Sequence, residues 1–247
     1  MIIIKKRNEI EKIREACKIV ADCLLNIERY IKPGITKFEI NRLIENWIRK
    51  YKAEPAFLGY KGFPAASCIS IDEEVVHGIP NGRPLKSGEI VSIDIGVRKD
   101  GYYGDGARSY GVDILPKDKE RLIKVAEEAL YKGVKEAKIG NRVGDISYAI
   151  QTHVEYNGFS VIKELSGHGI GNELHEEPAI PNFGKKGRGV PLKKGMVIAI
   201  EPMVSMGSGK IKISNDGWTV VTVDLAPSAH FEHTVLVDEE PIILTEV

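Results

Sequence analysis

Two carboxylates end near-copies of one stretch of sequence. Leu85-Lys86-Ser87-Gly88-Glu89-Ile90-Val91-Ser92-Ile93-Asp94 is matched by Leu192-Lys193-Lys194-Gly195-Met196-Val197-Ile198-Ala199-Ile200-Glu201, 107 residues later. A glycine turn feeding a β-branched run reads as a buried strand, so each copy carries an acid at a strand's inner end. An ionised carboxylate there is costly unless a cation compensates it. A duplicated chain that brings two such acids together points to a metal site.

Further donors follow the same logic. Asp105 lies beyond a turn at Lys99-Asp100-Gly101, and a hairpin centred on Lys99-Asp100 sets it directly opposite Asp94. Opposed residues have Cβ atoms about 5 Å apart, and two like charges at that distance repel by about 3 kcal/mol at an effective dielectric near 20. Either one carboxyl takes a proton or a cation holds both; hard oxygen donors suit Mn, Fe, Co or Zn. His168 sits in Gly167-His168-Gly169-Ile170-Gly171, which reads as a turn that leaves the imidazole exposed. Glu201 is followed by Pro202, and Glu232 enters the apolar run Val235-Leu236-Val237. Four carboxylates and one imidazole are enough for two metals about 3.5–4 Å apart. Any one of these acids, taken alone, is more often a solvated or salt-bridged side chain.

The elements that must position these donors are legible as two similar series. Apolar spacing over Asn8 to about Tyr30 predicts a helix, Pro33-Gly34 breaks it, and Thr36-Lys37-Phe38-Glu39 is a capping box opening a second helix to about Lys52. Strands are expected at Cys68–Ile71, Ile90–Val97 and Tyr102–Tyr110. The second half offers helices over 117–137 and 145–156, then strands near 159–165, 196–204, 218–223 and 231–237. Gly34, Glu39, Ile40 and Ile44 reappear as Gly140, Asp145, Ile146 and Ile150. Together these predict one α+β domain over residues 1–247, with an internal repeat of roughly 8–110 and 117–237.

Bulk composition narrows the function classes. Of 247 residues, 43% are hydrophobic, and 35 Lys+Arg balance 35 Asp+Glu, so no strong basic field marks the chain as a nucleic-acid binder. The three cysteines, Cys17, Cys23 and Cys68, show neither paired metal spacing nor an even count for a disulfide framework. No apolar stretch reaches the roughly 20 residues of a membrane span. A cytoplasmic protein is expected.

The ordered set Gly59 to Pro64, Ser67 to Ser70, Val76-His77-Gly78-Ile79-Pro80, Val91 to Asp94, Gly101 to Asp105, Gly167 to Gly171, His175 to Pro178, Ile200 to Met203 and Phe231 to Thr234 resembles the type I methionine aminopeptidases of the bacterial short form. That resemblance implies the pita-bread fold, two pseudo-symmetric halves around a central antiparallel sheet. It also implies a dinuclear metallo-exopeptidase that removes the initiator methionine from nascent proteins whose second residue is small. By the same resemblance Asp94, Asp105, His168, Glu201 and Glu232 hold two divalent ions (Co, Mn, Fe, Ni or Zn). Glu201 is then the general base, His175 meets the scissile carbonyl, and His77 meets the substrate backbone. Phe57, Tyr60, Phe63, Cys68 and Trp218 line the methionine pocket.

Phe57, Lys61, Phe63, Leu174 and His230 depart from residues common at those positions in the family; none is an implied metal ligand, and His230, beside an implied ligand, reads either as a partner of that ligand or as a surface histidine. His153 and His233 read as structural. The expected partners are nascent N-termini, with ribosome proximity, no membrane and no specific nucleic acid, and the chain is expected to be a monomer. Two other readings remain: an X-Pro aminopeptidase or prolidase, and a non-catalytic binding protein of the same fold.

Overall fold

The computed structural model describes residues 2–246. Helix α1 (Arg7–Ile27) buries the stripe Ile13, Ala16, Cys17, Val20, Leu24 and Ile27, as its spacing requires, and ends three residues early in a 3-10 turn over Glu28–Tyr30. Helix α2 (Lys37–Lys50) starts at the predicted capping box: the Thr36 Oγ1 accepts from the Glu39 N–H at 3.2 Å, and the Glu39 Oε2 accepts from the Thr36 N–H at 2.8 Å. Five strands follow: β1 (Glu54–Pro55), β2 (Cys68–Ile71), β3 (Glu74–Val76), β4 (Ile90–Lys99) and β5 (Tyr102–Gly111). Helices α3 (Lys117–Lys135) and α4 (Val143–Tyr156) open the second series. Strands β6 (Ser160–Val161), β7 (Ser166–Gly169), β8 (Glu176–Pro181), β9 (Val197–Ile200), β10 (Met203–Ser205), β11 (Ile211–Ile213), β12 (Val220–Thr222), β13 (Ser228–His230), β14 (Glu232–Leu236) and β15 (Ile242–Ile243) complete it.

A nine-stranded antiparallel sheet organises the molecule in the order β1-β4-β5-β14-β9-β7-β8, with β2 added along β4 and β15 along β14. The two long strands of the first half (β4, β5) and their counterparts in the second (β9, β14) form antiparallel pairs that meet at β5 and β14. Helices α1 and α2 pack an apolar core with β2 and β4, and α3 and α4 pack another with β9 and β14. Two pseudo-symmetric halves therefore share one sheet.

The hairpin register differs from the expectation. Lys99 pairs with Tyr102, so Asp94 faces Ala107 and Asp105 faces Gly96, and the two acids are not directly opposite. Asp100 and Gly101 both have positive φ (50° and 83°), the two-residue hairpin turn that closes one step later than a turn centred on Lys99-Asp100. The second difference is at Pro202. The strand expected over 196–204 divides into β9 and β10, because proline cannot donate to a ladder. Past it, β10 joins β13 and β6 in a separate small sheet.

Candidate active site

The register aligns the donors on one face. Cys68 pairs with Asp94, Asp94 with Ala107, and Ala107 with Glu232, which forms a single row across the sheet. Asp105 lies two residues from Ala107 on β5, hence on the same side and diagonal to Asp94. His233 pairs with Ile200, so the next step sets Glu201 beside Glu232. Gly169 pairs with Ile198, which turns His168 to the face shared by Ala199 and Glu201. The opposite face is closed by α1: a Cβ on Gly104 would lie 2.6 Å from the Cys17 backbone nitrogen, and one on Gly106 would lie 3.0 Å from Val20.

His168 is not exposed at a turn. It belongs to β7 and is 8% exposed. Its flanking glycines serve close strand approach instead, since a Cβ on Gly167 or Gly169 would run into the carbonyl oxygen of Ala199 or Glu177. The His168 Nδ1 lies 2.9 Å from the Gly169 carbonyl. A carbonyl only accepts, so Nδ1 carries the proton and Nε2 presents a lone pair. That lone pair stands 3.6 Å from Glu201 Oε1 and 3.9 Å from Asp105 Oδ2.

These separations exceed a hydrogen bond but suit shared coordination. Two donors bonded at about 2.1 Å to one cation lie at most about 4.2 Å apart. One ligand atom each from Asp105, His168 and Glu232 falls within a mutual 4.8 Å. Asp94 Oδ1 and Glu232 Oε1 are buried without a hydrogen-bond partner. Burial is the main cause that raises Asp94 and Glu201 to about 7; burial and then repulsion between neighbouring carboxylates raise Asp105 and Glu232 well above the carboxylate range. Four destabilised carboxylates around a free imidazole lone pair fit divalent cations.

A cavity of about 230 Å³ opens above this row. Gly96, opposite Asp105, leaves room for Phe57, whose ring would sit 2.5 Å from any Cβ there. Phe63 meets Trp218 edge to face at 5.3 Å, and Cys68 continues the apolar wall. His77, with φ of 57°, is held in the left-handed region where the Gly78 N–H donates to Ser70 Oγ at 3.1 Å. His175 stacks on Tyr60 at 5.3 Å and lies 4.3 Å, centroid to centroid, from His168. The Tyr60 hydroxyl is 2.9 Å from His175 Nδ1. Packing against the wall, more than repulsion from His168, lowers the His175 pKa, so its imidazole is neutral at pH 7.

The metallopeptidase family M24 profile matches residues 11–239. The chain is similar to methionine aminopeptidase 1 of Bacillus subtilis, at 50% identity over the full length of both. The chain belongs to metallopeptidase family M24. A crystal structure of methionine aminopeptidase from Thermotoga maritima superposes with a TM-score of 0.98 at 46% identity, with both chains fully covered. The prolidase of Pyrococcus furiosus shares the fold, with a TM-score of 0.80 at 24% identity, but this chain spans only 66% of it.

Within this M24 site all twelve residues expected from sequence border the cavity, gathered from strands and loops of both halves. For His230 the surface reading is the one corrected. Far from being a surface histidine, it is 2% exposed, and its unpartnered Nε2 lies 3.6 Å from Glu201 Oε2. The available signal was its place two residues before Glu232, although the backbone passes from β13 to β14 between them. Leu165, Ser166 and Met203 also line the cavity and had not been singled out; each stands two or three residues from a donor. His153 and His233 lie outside the cavity: the first meets Glu128 at 3.0 Å and the second Thr245 at 2.9 Å.

Proposed function

We infer that the chain is a metal-dependent aminopeptidase that removes the N-terminal methionine of nascent polypeptides when the second residue is small. One observation carries this reading: five metal donors converge on one sheet face beneath a cavity with apolar, aromatic and thiol walls. Two divalent ions held by Asp94, Asp105, His168, Glu201 and Glu232 would polarise the scissile carbonyl and lower the pKa of a bound water.

The remaining roles belong to side chains. Glu201 takes the proton of the attacking water, a role supported by its place at the cavity edge of the row. The Tyr60 hydroxyl donates to His175 Nδ1, which leaves the proton of the neutral ring on Nε2. His175 then donates to the carbonyl oxygen as it gains charge. His77 faces the substrate backbone. The methionine side chain packs among Phe57, Tyr60, Phe63, Cys68 and Trp218, where a thioether meets aromatic edges favourably. A lysine entering the same pocket would lose its hydration.

We take the two halves as one catalytic unit, an assignment supported by the sheet running unbroken through β5 and β14. No helix among the described residues is long and apolar enough to cross a membrane. We propose cytoplasmic action close to the ribosome, a reading supported by a substrate that exists as chains are being made, and action as a monomer, a reading supported by the lack of a coiled-coil pattern in the sequence.

The test is hydrolysis of Met-Ala-Ser, Met-Lys-Ser and Ala-Pro-Ser by metal-stripped protein with Mn, Co, Fe, Ni or Zn restored in turn. Metal-dependent cleavage of Met-Ala-Ser alone is the expected result. Preference for Ala-Pro-Ser would move the chain to the X-Pro branch, and no cleavage despite bound metal would make it a binding protein.

A further inference from the structure

A lysine from the N-terminal segment is buried beside the active site. Lys5 precedes α1, its backbone N–H donates to the Gly195 carbonyl at 2.8 Å, and its side chain has no exposed surface. Nζ reaches Glu176 Oε2 at 2.5 Å. The other carboxylate oxygen, Oε1, accepts from the backbone N–H groups of Asn172 (2.8 Å) and Glu173 (3.2 Å). Gly171 opens the turn, and a Cβ there would fall on the end of the Lys5 side chain. Its carbonyl accepts from the Tyr103 N–H at 2.9 Å, which ties the turn to β5 two residues before Asp105.

The turn from Gly171 to Glu176 is therefore folded around one carboxylate, and His175 is the neighbour of that carboxylate in the chain. Charge-assisted contacts of this kind are directional and short. An apolar pair of the same volume would fill the space and often be more stable, but it would not hold two backbone amides. Removing the lysine alone leaves Glu176 buried without its cation, and the turn must open to hydrate it.

We propose that Lys5 is a positioning residue for the reaction: its ion pair with Glu176 holds the turn that sets His175 beside His168 and Tyr60. This rests on the reading of His175 as the donor to the scissile carbonyl. Glu176 acts in the same unit, and neither residue lines the cavity.

The experiment is a double-mutant cycle on the metal-loaded enzyme with Met-Ala-Ser, which compares wild type, Lys5→Met, His175→Ala and the double variant. Lys5→Met is expected to lower kcat about 100-fold, the scale of a misplaced catalytic group. KM should change less than about threefold, and metal content and far-UV dichroism should stay at wild-type values. In the His175→Ala background the same change should cost less than about twofold, because the group it positions is gone. Equal losses in both backgrounds would overturn the proposal and leave Lys5 a purely structural residue. Wild-type kcat in His175→Ala alone would instead overturn the role of His175. Should Lys5→Met fail to fold, Glu176→Gln, which keeps the Oε1 acceptor, completes the same cycle with an expected loss of about tenfold and the same demand for non-additivity.

Discussion

Removing the metals should make this protein less stable as the pH rises, the reverse of ordinary acid denaturation. Asp94 titrates near 3.8 in an unfolded chain and is raised to about 7 in the folded one, chiefly by burial; Glu201 moves from 4.5 to about 7 for the same reason. The folded apoprotein thus keeps protons that the unfolded chain releases. Stability from these groups is fully present below about pH 4 and is lost as pH climbs to about 7. At 1.36 kcal/mol for each pH unit, Asp94 alone accounts for about 4 kcal/mol at pH 8. In a domain of this size that corresponds to roughly 10 °C in Tm. A divalent ion reverses the effect, because it binds the ionised carboxylates and its affinity grows with pH. The assay is urea unfolding followed by circular dichroism at pH 5, 6.5 and 8, with EDTA or with excess Mn. The apoprotein of Asp94→Asn, which cannot ionise at that position, serves as reference. That variant should exceed wild-type apoprotein in stability by about 4 kcal/mol at pH 8 and by less than about 2 kcal/mol at pH 5, and match it only below about pH 4. Wild-type apoprotein that gains stability between pH 5 and 8 in parallel with Asp94→Asn would refute the reasoning.

Glu201→Gln should keep the fold yet lower kcat by about 10²–10⁴, the range of general base catalysis; near-normal turnover with full metal would remove Glu201 from that role. Gly96→Ala should push on the Phe57 ring, 2.5 Å from the new Cβ, and raise KM for Met-Ala-Ser while leaving metal binding intact; steady-state kinetics with metal analysis would show otherwise if the pocket wall lies elsewhere. Thr36→Ala removes the cap of α2, which does not border the cavity, and should lower the unfolding free energy by about 1 kcal/mol with kcat unchanged; an unaltered urea midpoint would mean that the cap contributes nothing.

Much of the fold was legible because its signals are local. The stripe of α1, the Thr36 box and the β-branched run of β4 each lie within a single element, and each formed as expected. Helix ends moved by two or three residues, as they do when the last turn tightens into a 3-10 turn. The donors were legible for a different reason. A charged group at the inner end of an apolar strand contradicts its own surroundings, and the duplication displays that contradiction twice.

The sequence by itself determined which residues could bind metal and which elements would carry them, since residue type and period are properties of short segments. Only the tertiary structure decided how those residues meet. The positive φ of Asp100 and Gly101 moved Asp105 from opposite Asp94 to diagonal from it, a difference of one step that no composition records. His230 became a buried neighbour of Glu201 because β13, which carries it, pairs with β10 and sets it opposite Met203. Lys5 met Glu176 across 171 residues of chain. Contacts of that separation depend on register and packing summed over the whole sheet, and no local pattern holds that information.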